Sequence, residues 1–439
     1  MNTNLSEPLS KLKIFSFSGI QMRTFHITWV TFFFCFFGWF GIAPLMPVVR
    51  EDLGLSKNEI GNIVIASVAA TIFARLIIGK MCDVWGPRLS YTILLVIGAI
   101  PVIFIGLSNS YEAFLLFRLC IGIIGASFVI TQFHTSMMFS PNIVGTANAV
   151  SAGWGNLGGG VTNLVMPLIF SAIIGLGYAA NEAWRIAMVL PGLVLLVLAF
   201  VYYKYTKDTP AGNYSEIKNN QNKNSKTKKG SFWSAALDYR TWLLFLAYSA
   251  CFGIEITFDN VAAIYFVDNF DASLVLGGAL ASIFGIMNIF ARALGGIVSD
   301  KVGRKFGLRG KGLLLGSLLA LEGLGIALFA ITEQLILAVL SMLLFALFLK
   351  MANGATYSIV PFVKKDAIGS VSGIVGAGGN LGAVLAGFLF KVDSLTYSDA
   401  FFYLGIAVFV IGILNILIRY ERREKEDIVP ADTEFEPAS

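Results

Sequence analysis

Apolar residues run along this chain in long blocks separated by short polar turns, from about residue 26 almost to the end. The blocks are far longer than a buried strand. They match the roughly 20 residues an α-helix needs to cross a bilayer core. Twelve spans are predicted, at 26–49, 58–80, 89–108, 111–138, 143–173, 184–204, 240–267, 273–297, 311–331, 335–360, 367–390 and 398–419. The chain then divides into an N-terminal tail (1–25), six spans (26–204), a polar segment (205–239), six more spans (240–419) and a C-terminal tail (420–439). The polar segment is rich in Asn and Lys and reads as a flexible linker.

Composition agrees with a membrane protein. Of 439 residues, 56% are hydrophobic and 13% charged, with mean hydropathy +0.75. Residues 1–25 are polar and basic, and the first apolar run is long enough to span, so no short cleavable signal is expected. Of the 32 Lys and Arg, 24 fall in the tails and loops on the side of the N-terminus. Four (Arg50, Lys57, Arg185, Lys391) fall on the other side, and four lie within spans. The positive-inside rule places both ends in the cytoplasm, with the chain in the cytoplasmic membrane. The net charge of +5 follows from this distribution and does not point to nucleic acid. Cys35, Cys82, Cys120 and Cys251 are scattered singly, which suggests neither a disulfide framework nor a metal site. No nucleophile–base pair, nucleotide loop or metal cluster is visible, so neither an enzyme nor a cofactor is expected.

The two halves repeat each other. GKMCDVWGPR after span 2 carries Gly79, Asp83, Gly86 and Arg88; GIVSDKVGRK after span 8 carries Gly296, Asp300, Gly303 and Lys305, each displaced by 217 positions. Arg75 in IFARLIIG and Arg292 in IFARALGG share that displacement. Parallel six-helix repeats are the layout of major facilitator transporters, and the G-x-x-x-D-x-x-G-x-[RK] loop resembles their signature. The predicted fold is all-α, with twelve transmembrane helices in two pseudo-symmetric halves that alternate access by rocking.

Arginine inside a span costs at least about 2.5–3.5 kcal/mol on insertion scales. Arg75 and Arg292 fall at equivalent depths, on opposite walls of a central cavity. Two facing guanidiniums repel unless an anion lies between them, and their planar donors suit a small planar oxyanion. The alternative is that each caps a helix end or pairs with a carboxylate near the motif loop. A second repeat lies in spans 5 and 11, where GWGNLGGG (153–160) and GAGGNLGA (376–383) share GNLG. Such glycines let helix backbones approach closely. Asn156 and Asn380 are amides inside spans, which need partners, and they are read as substrate contacts.

AGWGNLGGG and GAGGNLGA resemble the paired nitrate signatures of the nitrate/nitrite porter family. The likeness extends through FHITWVTFFFCF, APLMPVVREDLGL, CFGIEITFDNVAAIYF and GATYSIVPFV, and looks closest to high-affinity nitrate transporters of plants and fungi. It implies nitrate as substrate, with nitrite next. It implies a substrate site of Arg75, Arg292, Asn156, Tyr248, Phe252 and Phe128, with Gly153, Gly155 and Gly378 in the signatures. It also implies a monomer, with an accessory subunit left open. Two departures are His134 in QFHTSMMF and Lys350 on span 10.

Carrying one negative charge into a negative interior costs about 2.3 kcal/mol per 100 mV, so uptake needs anion exchange or cation cotransport. Symport of protons needs titratable groups. Glu255 and Asp259 lie i, i+4 on span 7, continuing a stripe from Tyr248 and Phe252. The alternative is a structural pair of either carboxylate with Lys350 or Arg118. His26 and His134 are read as interfacial or structural, Arg118 as packing span 4, and Glu322 receives no role. A non-transporting anion sensor is a further alternative, disfavoured because no folded signalling domain is visible.

Overall fold

The polar turns between the apolar blocks carry the residues that start helices. Ser56 Oγ accepts from the Glu59 N–H at 3.3 Å while the Glu59 carboxylate accepts from the Ser56 N–H at 2.8 Å. Thr396 and Asp399 repeat this reciprocal cap at 3.0 and 2.8 Å. Such boxes satisfy backbone donors that the first helical turn leaves open. The structure, a computed structural model, describes residues 7–140, 143–218, 232–364, 367–418 and 420.

The spanning helices are α1 (Ile20–Leu53, with a 3-10 turn at Ala43–Leu45), α2 (Lys57–Trp85), α3 (Pro87–Leu107), α4 (Tyr111–Met138), α5 (Val144–Gly175) and α6 (Ala180–Tyr205). In the second half, α7 is Tyr239–Phe270, and a 57-residue helical stretch, Leu274–Ala330, follows. That stretch breaks at Gly307 (φ 64°, ψ −159°) into α8 (274–306) and α9 (308–330). Then come α10 (Leu335–Phe362), α11 (Ile368–Lys391) and α12 (Tyr397–Leu417). The twelve helices pair alike in both halves: α1 with α5 and α7 with α11, α3 with α6 and α9 with α12. The halves meet where α2 packs on α11 and α5 on α8. Large apolar side chains such as Phe73, Leu76, Phe200 and Leu340 stay exposed, as lipid-facing surfaces require.

The motif segments differ from the loops predicted for them. Gly79 and Asp83 lie inside α2, and Gly296, Asp300, Gly303 and Lys305 lie inside α8. Nothing in SDKVGRKF breaks a helix, so α8 runs past residue 297 until Gly307 turns left-handed. Lys311 then folds back to pair with Asp300 at 2.7 Å and donates to the Ser358 carbonyl at 3.1 Å. In the first half the turn falls at Gly86 (φ 86°), where a Cβ would sit 2.5 Å from Asp208 Cγ. Asp208 accepts from the Arg88 and Tyr214 N–H groups at 2.9 and 3.0 Å, and Arg88 donates to the Tyr203 carbonyl at 3.0 Å. The start of the segment read as a flexible linker is therefore folded onto the α2–α3 turn; residues 219–231 lie outside the described residues.

Among the described residues the closest backbone contacts between the halves lie toward one end. A Cβ on Gly61 of α2 would sit 2.5 Å from Lys391 Cα of α11, and one on Gly387 would sit 2.6 Å from the Ile65 side chain. Toward the tails, Gly79 and Gly373 on the same helices face open space. Gly160 of α5 and Gly285 of α8 stand back to back with no room for a side chain on either. Across the closed end, Arg50 grips Asp268 through two bonds of 2.6 and 2.9 Å, and Lys57 donates to the Val392 carbonyl at 3.0 Å.

Gly86→Ala should lower stability by about 1 kcal/mol or more, through its left-handed backbone and the collision with Asp208. Gly79→Ala, facing open space in a helix, should leave stability unchanged or slightly raised. Thermal unfolding in detergent compares the two.

Candidate functional site

The two repeat-related arginines end in one region but are held differently. Arg75 on α2 reaches across to the other half. Its Nη1 donates to the Gly376 carbonyl of α11 at 3.0 Å. With its amide oxygen turned to the guanidinium, Asn380 accepts from Arg75 Nη1 at 2.7 Å and Nε at 3.3 Å. Arg292 on α8 stays within its own half and donates through Nη2 to the Tyr248 hydroxyl at 3.0 Å. A 3-10 turn at Met287–Ile289 precedes it, where α2 is continuous at the matching positions.

Aromatic faces complete each cradle. The Arg75 guanidinium lies 5.5 Å from the Phe128 ring centre, and that of Arg292 5.7 Å from Phe252. Tyr248 stacks on Phe252 at 4.9 Å and 11°, and Tyr357 of α10 meets Tyr248 edge-on at 5.1 Å. A Cβ on Gly376 would sit 3.4 Å from the Tyr357 hydroxyl and 3.8 Å from Arg75 Nη1. Arg75, Tyr357, Tyr248 and Arg292 thus form one arc that bridges the halves.

Both arginines of this arc, and Asn156 on α5, carry polar atoms without partners. Arg75 Nη2, Arg292 Nη1 and both amide atoms of Asn156 are buried with no hydrogen-bond partner among the described residues. A buried donor left unmade costs about 1–3 kcal/mol. Among the described residues the arrangement offers donors from both halves, with no carboxylate hydrogen-bonded to either guanidinium, a chemistry suited to a small anion with several oxygens.

The signature glycines serve packing. Gly155 lies against the Phe32 ring, Gly158 against the Phe33 carbonyl, Gly378 against the Phe245 carbonyl and Gly379 against Phe252 and Tyr248. Gly153 has the Asn288 carbonyl 3.2 Å from where a Cβ would be. The two copies seat α5 on α1 and α11 on α7.

The stripe on α7 splits. Tyr248 and Phe252 face the arginines. Glu255 turns into the second half, ion-paired with Lys350 at 2.6 Å and accepting from Asn288 at 2.8 Å and Asn353 at 2.6 Å. Asp259 faces α5 beside Gly159, and its Oδ1 has no partner among the described residues. Arg118 pairs with neither carboxylate; it donates to the Trp39 carbonyl and Asn260 Oδ1, both at 3.0 Å. His134 is a fully buried brace between the Tyr202 hydroxyl and the Lys207 carbonyl.

Tyr357, Gly376, Asn288 and Asn353 went unselected in the sequence. Tyr357 lies within GATYSIVPFV and Gly376 opens GAGGNLGA, so both stood in notable stretches. The two asparagines carried no pattern of their own; only the buried charge of Glu255 accounts for them.

Two six-helix repeats that each bring an intramembrane arginine to their interface define a secondary transporter, and the Major Facilitator Superfamily model matches residues 28–387. The fold is shared with a bacterial homolog of the human lysosomal transporter Spinster in an inward-facing, unoccupied conformation (TM-score 0.66, 17% identity, 90% of this chain and 95% of that one). It is shared as well with the nucleoside transporter NupG (TM-score 0.64, 17% identity, 90% and 98%). In sequence, the high affinity nitrate transporter 2.5 of Arabidopsis thaliana is 41% identical, over 88% of this chain and 77% of that protein. Nitrate transporter 2.1 of Chlamydomonas reinhardtii is 37% identical (90% and 74%), and the nitrate/nitrite transporter NrtP of Nostoc punctiforme 29% (92% and 93%). The chain belongs to the nitrate/nitrite porter family of the major facilitator superfamily. It is a multi-pass membrane transporter and not an enzyme.

Lys350→Met should destabilise the protein by about 3–5 kcal/mol, because it strands the Glu255 charge in the interior. Adding Glu255→Gln to the same chain should restore most of that loss. Thermal unfolding of the single and double variants measures both.

Proposed function

We propose that this chain carries nitrate, and nitrite through the same contacts, into the cell across the cytoplasmic membrane by proton-coupled alternating access. The observation that carries the reading is the pair of repeat-related guanidiniums, each with an N–H unpartnered among the described residues; the partnerless amide of Asn156 on α5 adds to it. Three coplanar oxygens sharing one negative charge match donors arriving from both halves. The names of the relatives, with identities up to 41%, supply the choice of anion.

With both termini cytoplasmic, the closed end bearing Arg50 and Asp268 faces outside and the spread end faces the cytoplasm. This is the geometry of a carrier about to release. Substrate arriving between Arg75 and Arg292 joins the halves more strongly than Arg75 alone does, which favours closure around it. Reopening on the far side then separates the glycine contacts of α5 with α8 and of α2 with α11.

Proton coupling rests on Glu255 and Asp259. About two protons per nitrate make entry electrically favourable at a negative interior potential. Nitrate/nitrite exchange is the second reading, and the Glu255–Lys350 pair favours it, since an exchanger needs only a charge-balanced wall. The protein is taken to act as a monomer, with an accessory subunit as an open addition.

Nitrate should drive an inward positive current in proteoliposomes held at negative internal potential, stronger with external acid. No current, with tracer uptake appearing only after nitrite is loaded inside, would establish exchange instead. Replacing Arg75 or Arg292 by Ala should weaken nitrate binding about tenfold to hundredfold, the worth of one charge-assisted contact. Nitrate titration of the purified variants measures it.

A further inference from the structure

Behind Arg292, in the core of the second half, three helices bring together charged groups that are almost wholly buried. Glu255 on α7 is 2% exposed, Lys350 on α10 and Glu322 on α9 are both 0% exposed. Glu255 is fully partnered by Lys350, Asn288 and Asn353. Glu322 is the opposite: neither of its carboxyl oxygens has a hydrogen-bond partner among the described residues. The charges that face it are Glu255 and Lys350, together with the thiol of Cys251 on α7. On the remaining side, the backbone of Gly405 and Phe409 of α12 comes up to the neighbouring Gly323.

One ammonium therefore serves the field of two carboxyl groups, and it is in contact with that of Glu255. An unpaired carboxylate in a dry interior costs several kcal/mol, so it is neutralised by a proton or by a cation. With Lys350 committed to Glu255, Glu322 has only the proton. Glu255 has a second cation in its field, Arg292, whose unpartnered Nη1 belongs to the anion site.

We propose that Glu322 carries one of the coupled protons, with Lys350 as a counter-ion shared between it and Glu255; this rests on the symport reading above. When an anion occupies Arg292, that guanidinium no longer compensates Glu255. Lys350 then stays on Glu255, and Glu322 keeps its proton. When the anion leaves, Arg292 takes over Glu255 and Lys350 becomes free to serve Glu322. The Glu322 O–H bond then breaks, its electron pair stays on the carboxylate, and the proton passes by way of Glu255 to water in the cavity. Each anion released on the cytoplasmic side thereby releases a proton from Glu322. The reverse coupling loads both together on the outer side, as linkage requires.

The test is the pH dependence of nitrate affinity in the purified full-length protein. In the wild type, affinity should weaken by about tenfold per pH unit for each coupled proton, over the range where the groups titrate. Glu322→Gln should bind nitrate while losing one proton's worth of that slope, and should take up one proton fewer per nitrate in weakly buffered solution. Glu322→Met, similar in volume and without oxygens, should behave alike and serves if the amide variant does not fold. A folded Glu322 variant with the full wild-type slope overturns the proposal. A wild type with no pH dependence at all overturns the symport reading itself. In the wild type alone, nitrate binding should strengthen the infrared band of a protonated carboxyl group; no change in that band also counts against Glu322.

Discussion

The structure is organised around the cost of keeping two like charges in a dry place. A guanidinium away from water must be given acceptors or diffuse negative surfaces. Arg75 receives a carbonyl, an amide oxygen and a phenylalanine face; Arg292 receives a tyrosine hydroxyl and another phenylalanine face. These hydrogen-bonding partners are neutral; the carboxylate within the field of Arg292, Glu255, is ion-paired with Lys350. One N–H on each arginine stays unmet. In the proposed reading an anion supplies both the missing charge and the missing acceptors, and the protein's most expensive residues become its means of selection.

The repeat is symmetric in its helices and asymmetric in its chemistry. Arg75 binds across the interface, whereas Arg292 binds within its own half. Glu255, Glu322 and Lys350 all belong to the second half, and the continuous α2 corresponds to an α8 interrupted at Met287–Ile289. That interruption brings the Asn288 side chain to Glu255. The first half is thus mainly a wall that presents Arg75 and Phe128, and the second half holds the buried charged groups on which the proposed proton coupling rests.

Closure depends on residues with no side chain. In lipid there is little hydrophobic drive between helices, so contact is won by close backbone packing. Gly160 and Gly285 let α5 and α8 touch, and Gly61 lets α2 reach Lys391. Contacts of this kind are made and broken without burying or exposing large apolar surfaces. The charged pair of Arg50 with Asp268 sits at the end of the seam and defines the closed side.

Much of this was legible in the chain. Span length, the parallel repeat, the buried arginines and the GNLG copies are local or periodic features, and each carries its physical meaning without a fold. The helical state of Gly296 to Lys305 was not legible, because a polar, glycine-bearing stretch is compatible with loop or helix until the Lys311–Asp300 contact is known. Nor were the partners of Glu255, the solitude of Glu322 and Asn156, or the place of Tyr357. Each depends on which side chains from distant helices arrive at one depth, and on whether a partner is there. The sequence by itself determined the membrane architecture and which residues are too costly to be incidental. Only the tertiary structure decided which of them are satisfied by the protein and which wait for a ligand, because satisfaction is a matter of distance between segments hundreds of residues apart.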